Sequence, residues 1–575
     1  MKKLIISMLI LLAWATSLSA QSGQTGPLTW VLDLNSGTLT ISGNGAMPNY
    51  EPMEAPWSGY GGWYIEAVVI ENGVTTIGNN AFMGCAMTSI AIPNSVTTIG
   101  EQAFSGCYYL LSITIPNGIT TIGKGTFHYC GSLSSIIIPH SVTTIKEYAF
   151  FGCDSLTSIT IPNGVTTIGD GPFANCASLT SIDVESGSNS YCSEDGVLFD
   201  KSKTTLVCYP AGKTDSYIIP NSVTIIGGGA FSGCENLPSI IIPEGVKTIR
   251  GSAFAGCTGI ASITLPNSVK TIGESAFSGC INLTSMTIPD GVTSINKGTF
   301  YSCVNLTSIT LPNSLTTISM WAFSRCYKLT SITIPGNVTS IGLAAFYECM
   351  NLTSITNLNL KPIAIYPDVF YNVPQSICKL KVPTSAVSAY QNADVWENFN
   401  IEGGGILVNT ASNFNSFGYT EGAGLYEENE TAYVIATARD GYKFVNWTID
   451  GEAVSDKTLY RFTVTENVKL VANFEREVGI EELQVTSYEL QVYPNPTRGE
   501  IQVTSYELQV TSVEVFDVFG RNVGIKFPSC GGAGVVKSPS FGGVRGGDIS
   551  HLPTGIYFLR IQTETGMITR KIIKR

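Results

Sequence analysis

Histidine is nearly missing from this chain: three among 575 residues. They are His128, His140 and His551, and sequence logic places none of them beside both a nucleophile and a carboxylate. The chain has no G-x-S-x-G elbow, no phosphate-binding loop and no H-E-x-x-H. Its carboxylates are scattered, so no glycosidase pair stands out. Neither a C-x-x-C pair nor a histidine cluster is present to hold zinc. The reading is a protein that is not an enzyme, with no cofactor and no metal. Charge is sparse as well, at 13% of residues with a net charge of -12. Such a surface repels phosphate backbones and anionic lipid, which argues against nucleic acid as a partner. Beyond the first twenty positions no apolar run reaches about 18 residues, so no transmembrane segment is expected.

The first twenty positions are different. Lys2 and Lys3 precede an apolar stretch from Leu4 to Ala15, and small residues lead to Ala20. This is the layout of an export signal, read here as residues 1–20, with cleavage after Ala20 or Ser19. The mature chain is expected outside the cytoplasm.

Cysteine is plentiful, with 15 residues, and its spacing is the strongest pattern in the chain. Cys107, Cys130, Cys153 and Cys176 lie 23 apart, and so do Cys234, Cys257, Cys280, Cys303, Cys326 and Cys349. A phenylalanine stands three residues before each, as in Phe277 and Phe300. A period in this range means a solenoid, whose units bury their apolar faces only against neighbours. Residues one period apart then stack at about 4.8 Å. Stacked side chains point the same way and do not easily reach a disulfide torsion near 90°. The cysteines are therefore expected to be small buried hydrophobes rather than disulfides.

Within one unit, Ile309-Thr310-Leu311 alternates like a short strand, and Pro312 ends it because proline cannot donate to a ladder. Asn313 and Ser314 make a turn, and Leu315 and Ile318 return to the core. Glycine often follows that position (Gly100, Gly123, Gly169, Gly273), which suggests a tight bend. The L-x-x-I-x-I-P, V-T-x-I-G and A-F-x-x-C segments together resemble the BspA-like subclass of leucine-rich repeats found on bacterial surfaces. The expected fold is mainly β: a leucine-rich-repeat solenoid of about thirteen 23-residue coils over 65–401, followed by a small all-β module and a C-terminal β-sandwich.

An N-terminal cap is expected over 21–64, drawn from the aromatic segment Trp30 to Trp63. A C-terminal cap is expected over 379–401, where Thr384 to Phe399 reads as an amphipathic helix. From Cys176 to Cys234 the spacing is one period plus 35 residues. The insertion, 185–213, reads as a β-hairpin decorating the coil. Cys192 and Cys208 lie on its arms but not opposite each other.

The outward strand positions carry serine and threonine: Ser112, Thr114, Ser158, Thr160, Ser262, Thr264, Ser285, Thr287, Ser308, Thr310, Ser331 and Thr333. This column is the candidate binding face. Its blandest reading is a soluble sheet surface, its second a broad docking surface for proteins or glycans, and its third an ice-ordering array. Specificity would reside in variable loop residues such as Asp154, Arg325 and Lys328. The resemblance implies a secreted or cell-surface interaction protein, adhesin-like, binding host-matrix or microbial-surface proteins. The alternative is a surface carbohydrate-binding protein, with the hydroxyl ladder or Trp447 against the glycan.

Gly403 to Gly405 reads as a hinge, and the module at 405–475 resembles the internalin-B-type bacterial surface repeat through Gly441-Tyr442-Lys443-Phe444, Trp447, Phe462-Thr463-Val464-Thr465 and Val471-Ala472-Asn473-Phe474. Trp447 and Phe444 are expected in its core. A charged linker covers 476–489. Residues 490–575 resemble the type A sorting domain of type IX secretion through Pro494, Asn495, Pro496, Gly520, Arg521, Gly555, Tyr557 and Lys571. That resemblance implies recognition by the secretion translocon, then release or attachment at the outer membrane. The Gly- and Ser-rich stretch from Lys526 to Gly547, holding Cys530, is expected to be an extended loop.

Overall fold

Each coil is built from two short strands and one tight turn. In the coil that starts at Leu306, Ser308 and Thr310 face solvent while Ile309 is buried, the alternation of a half-buried strand. Pro312 closes the strand, and the Leu315 amide donates back to its carbonyl at 3.1 Å. Thr317–Ile318 forms the second strand. Phe323 and Cys326, both fully buried, complete the turn. The computed structural model describes residues 20–60 and 62–477, and within 490–574 the backbone of six strands.

Parallel pairing carries each coil onto the next. Ser285–Thr287 pairs with Ser308–Thr310, and Ser294–Ile295 with Thr317–Ile318. The phenylalanine rings stack in a column: Phe254 and Phe277 lie 5.3 Å apart at 1°, Phe277 and Phe300 5.6 Å apart at 6°. Such ring pairs contribute about 0.5–1.5 kcal/mol each beyond the area they bury.

The solenoid runs to about fifteen coils rather than thirteen. At both ends the caps continue the ladder. Thr38–Gly43 pairs in parallel with Ala67–Ile70, and Asn400–Gly403 with Lys379–Val382. At the N-terminal end Ala20–Thr25, Leu28–Asp33 and Thr38–Gly43 form an antiparallel meander. Trp57 closes the ring column there, stacked 5.9 Å from Phe82 with its indole N–H on the Ala81 carbonyl. Trp63, by contrast, is 73% exposed.

The C-terminal segment is not one amphipathic helix. It breaks into a 3-10 turn at Thr384–Ala386, an α-helix of five residues at Val387–Gln391, and a second 3-10 turn at Trp396–Asn398. Burial rather than helical periodicity decides this shape. The Tyr390 hydroxyl and the Trp396 indole N–H each donate to a backbone carbonyl, of Asn359 and Ile363, and with Phe399 they cover the last coil.

The insertion contains the expected hairpin, Val197–Asp200 against Thr205–Cys208, but does more than decorate the coil. It holds three strands, Tyr191–Glu194, Val197–Asp200 and Thr205–Cys208, and the third pairs in parallel with Ile225–Ile226 as a rung of the ladder. Val197, Leu198 and Phe199 are all fully buried. Val197 and Phe199 pack into the C-terminal half of the core, and Leu198 into the N-terminal half. Cys192 pairs with Phe199 and Cys208 with Leu198, so the two cysteines are not opposite.

The four glycines assigned to a bend do not adopt a left-handed φ; those positions fall two residues later, at Gln102, Gly125, Gly171 and Ser275. Glycine is required for another reason. A Cβ on Gly273 would stand 2.3 Å from the Gly251 amide nitrogen, and one on Gly169 2.5 Å from that of Glu147.

Residues Ile406–Arg476 form two sheets. One has five strands, including Ile406–Ser412, Val468–Arg476 and Tyr442–Ile449; the other has Gly418–Glu421, Thr431–Ala438 and Leu459–Thr463. Trp447 is fully buried at their core with Val408, Val434 and Leu470, and Phe444 packs half-buried beside them. In the C-terminal unit, Leu490–Asn495, Glu500–Ser505 and Gly542–Asp548 make one antiparallel sheet, and Val510–Asp517, Gly555–Thr563 and Gly566–Lys574 another. Gly542–Asp548 is thus a paired strand where an extended loop was expected. Cys530 and residues 1–19, most of the expected export signal, lie outside the described residues.

Candidate binding surface

All twelve serines and threonines of the candidate face are exposed. Backbone register aligns them: Ser285 with Ser308, Thr287 with Thr310, Ser331 with Ser354 and Thr333 with Thr356. The column is not purely hydroxylic. Ile137, bridged to Thr114, is 84% exposed, and the paired Ile218 and Ile241 are 67% and 58% exposed. Asp183 pairs with Thr160, and Lys381 with Thr356. The sequence holds these exceptions in plain view, but their alignment with the hydroxyls needs the coil register.

The cysteine column lies inside and is chemically quiet. Among the described residues all fourteen cysteines are free thiols, and only Cys192 is partly exposed. Nine of these thiols donate to the phenylalanine carbonyl of the preceding coil, as Cys257 does to Phe231 at 3.0 Å and Cys349 to Phe323 at 3.1 Å. Burial pushes the Cys85 and Cys349 thiols up to about 12. Periodicity marked these cysteines as small and buried; their role as donors appears only in the structure.

The all-β module at Ile406–Arg476 is fastened to the solenoid, so Gly403–Gly405 is not a free hinge. The Gly404 amide donates to the Val382 carbonyl, the Thr384 amide to Gly405 and the Gly405 amide to the Thr384 hydroxyl. Further along, Asn313 donates to the Thr410 hydroxyl at 3.2 Å and to the Thr420 carbonyl at 3.1 Å. The Arg439 guanidinium donates to the carbonyls of Asn267, Asp290 and Asn415 and lies over the Tyr419 ring. Asp290 is squeezed in this contact. Burial, helped by the Glu421 charge, pushes its carboxyl up to about 6 against the pull of Arg439.

Of the loop residues expected to set specificity, Asp154 and Lys328 are exposed and bonded to nothing that marks a site. Arg325 is different: it pairs with Glu348 at 3.1 Å, donates to the Tyr301 hydroxyl and lies over that ring. Trp447, the alternative glycan platform, is fully buried and presents no face. Of the sorting residues, Pro494, Asn495, Gly555, Tyr557 and Lys571 fall on paired strands; Pro496, Gly520 and Arg521 lie outside the described residues.

With this geometry the comparisons agree. A family model described as BspA type Leucine rich repeat region matches in six copies over residues 67–196, 207–330 and 270–398, together more than half of the chain. The chain belongs to the BspA-type leucine-rich repeat proteins. Two further models match after the solenoid, a Divergent InlB B-repeat domain at 408–478 and a Secretion system C-terminal sorting domain at 491–575. No curated protein matches the chain. Among solved structures, a leucine-rich repeat protein from Eubacterium ventriosum is 31% identical, over 57% of this chain and 95% of that one, with a TM-score of 0.47. A leucine rich cell surface protein from Faecalibacterium prausnitzii is 26% identical over 68% and 96%, with a TM-score of 0.36. The pneumococcal vaccine antigen PcpA is 23% identical over 67% and 98%, with a TM-score of 0.43. This BspA-type protein therefore carries a sorting domain that indicates type IX export to the cell surface or the medium. Among its described residues no helix is long and apolar enough to cross a membrane.

Proposed function

We propose that this BspA-type protein is a non-catalytic surface adhesin whose solenoid docks host-matrix or microbial-surface proteins through the exposed strand column. The observation that carries this reading is the mixture on that column: exposed isoleucines (Ile137, Ile218, Ile241) among uncharged hydroxyls. Protein interfaces join apolar anchors depleted of charge to a polar, solvated surround. A purely hydroxylic ladder would lack the anchors. The sorting domain supports the same reading, because it delivers the solenoid to where such partners are met.

The test is surface plasmon resonance of the secreted chain against purified matrix proteins, beside a glycan array. Binding to a matrix protein that falls at least about tenfold in Ile241→Lys, a loss of about 1.4 kcal/mol, supports the proposal. Binding on the array alone, or matrix binding that Ile137→Lys and Ile241→Lys leave unchanged, overturns it.

A further inference from the structure

A second feature lies on the turn that carries the Phe–Cys columns, a different segment of the coil from the hydroxyl strands. Here Tyr301, Trp321 and Tyr347 line a groove of about 530 Å³ together with Lys297, Arg325 and Asp368. Trp321 is 40% exposed. The Lys297 ammonium stands 5.3 Å from the centre of its ring, and the Arg325 guanidinium 5.8 Å from that of Tyr301.

We propose that this groove binds a neutral oligosaccharide. It is an activity separate from protein docking at the strand column and does not depend on it.

Three observations support this. First, the groove sets the partly exposed Trp321 ring beside hydrogen-bonding groups of both kinds, the combination that a sugar ring needs. Its C–H face stacks on indole or phenol while its hydroxyls donate and accept at the rim. Lys297 and Arg325 supply donors, and the carboxylate of Asp368 accepts. Second, Asp368 Oδ1 is buried and has no hydrogen-bond partner. An unmet buried carboxylate oxygen costs free energy, and rotation of the half-buried Asp368 side chain toward a sugar hydroxyl in the groove would relieve it. Third, the charges nearly cancel. Arg325 is already paired with Glu348, and the remaining lining charges are one lysine, Lys297, and one carboxylate, Asp368, so nothing favours an ionic ligand.

Trp321 and Arg325 both adopt a left-handed φ, 57° and 62°. At the equivalent places other coils carry either glycine, as at Gly298 and Gly279, or another side chain, as at Ser275, Ser302 and Glu348. A side chain there costs of order 1 kcal/mol that glycine avoids.

The test uses the full-length secreted protein titrated with maltotriose, cellotriose, mannotriose and chitotriose, followed by calorimetry and tryptophan fluorescence. At least one trisaccharide should bind and shift the emission. Trp321→Gly should weaken binding at least about tenfold while melting no lower than the parent, since glycine suits that φ. Trp321→Ala should do the same, as Ala344 already adopts the equivalent conformation one coil on. Asp368→Asn should weaken binding severalfold. Tyr129→Ala, on the same turn in an N-terminal coil, should leave binding unchanged. Absence of heat with all four sugars, or binding that both Trp321 variants retain, overturns the proposal.

Discussion

The thiol of Cys303 donates to the carbonyl of Phe277 in the preceding coil at 3.1 Å, and that carbonyl also accepts the amide of Cys280 at 3.2 Å. The contact joins the two recurring features of the repeat period, the ring column and the cysteine column, through one backbone oxygen. It explains why cysteine suits the position: it is small enough for a packed core and still offers a weak donor. Replacing Cys303 by alanine should cost about 1–3 kcal/mol, from a small cavity and a lost hydrogen bond. Urea unfolding of the variant measures it, and a cost near zero would contradict this role.

Thiol chemistry should follow burial. In the native protein iodoacetamide should modify Cys192, whose side chain is partly exposed, and spare Cys85 and Cys349, whose thiols burial holds near 12 and so mostly unreactive as thiols. After unfolding without reductant, the ladder cysteines should all label. Peptide mapping by mass spectrometry reads both results, and oxidised ladder cysteines would refute the second.

The clasp between module and solenoid should depend on Arg439. Arg439→Ala removes its bonds to Asn267 and Asp290, contacts that span 172 and 149 residues of chain. Charge-assisted hydrogen bonds of this kind are worth about 1.5–3 kcal/mol each and are not additive. The variant should become sensitive to limited proteolysis near residues 403–405 while the solenoid stays resistant.

The same clasp should tighten in acid. Asp290 is raised to about 6 when docked, above its ordinary range when free, so the docked state binds the proton more strongly. Docking is therefore strongest below about pH 4, weakens as pH rises through about 6, and is level above that. Glu421 and Arg439 are the charges that face Asp290. Proteolytic protection of the 403–405 segment, compared between parent and Asp290→Asn, tests the sign; the variant should show a flattened pH profile.

Backbone packing yields opposite effects at neighbouring positions. Gly273→Ala would force a Cβ to 2.3 Å from the Gly251 nitrogen and should cost about 2 kcal/mol or more. Ser252→Gly, at a φ of 53°, should gain about 0.5 kcal/mol, strain relief less the entropy of glycine. Thermal melts of the pair decide it. Separately, a chain ending at Glu489 should stay in the periplasm, as fractionation with an antibody to the solenoid would show.

What the sequence determined by itself was the placement of most of what repeats. The 23-residue period, the inward Phe and Cys columns, the outward Ser and Thr column and the strand-ending prolines could all be read, because each coil meets a near copy of itself in register. What only the tertiary structure decided was whatever happens once. The third strand of the insertion becomes a rung, the hinge glycines are pinned to Val382 and Thr384, Arg439 reaches back to Asp290, and Trp321, Arg325 and Asp368 meet at one groove. The physical reason is that periodic neighbours announce themselves through spacing. Contacts between unlike segments depend on how the coils stack and where the backbone turns left-handed, and no interval in the chain encodes them.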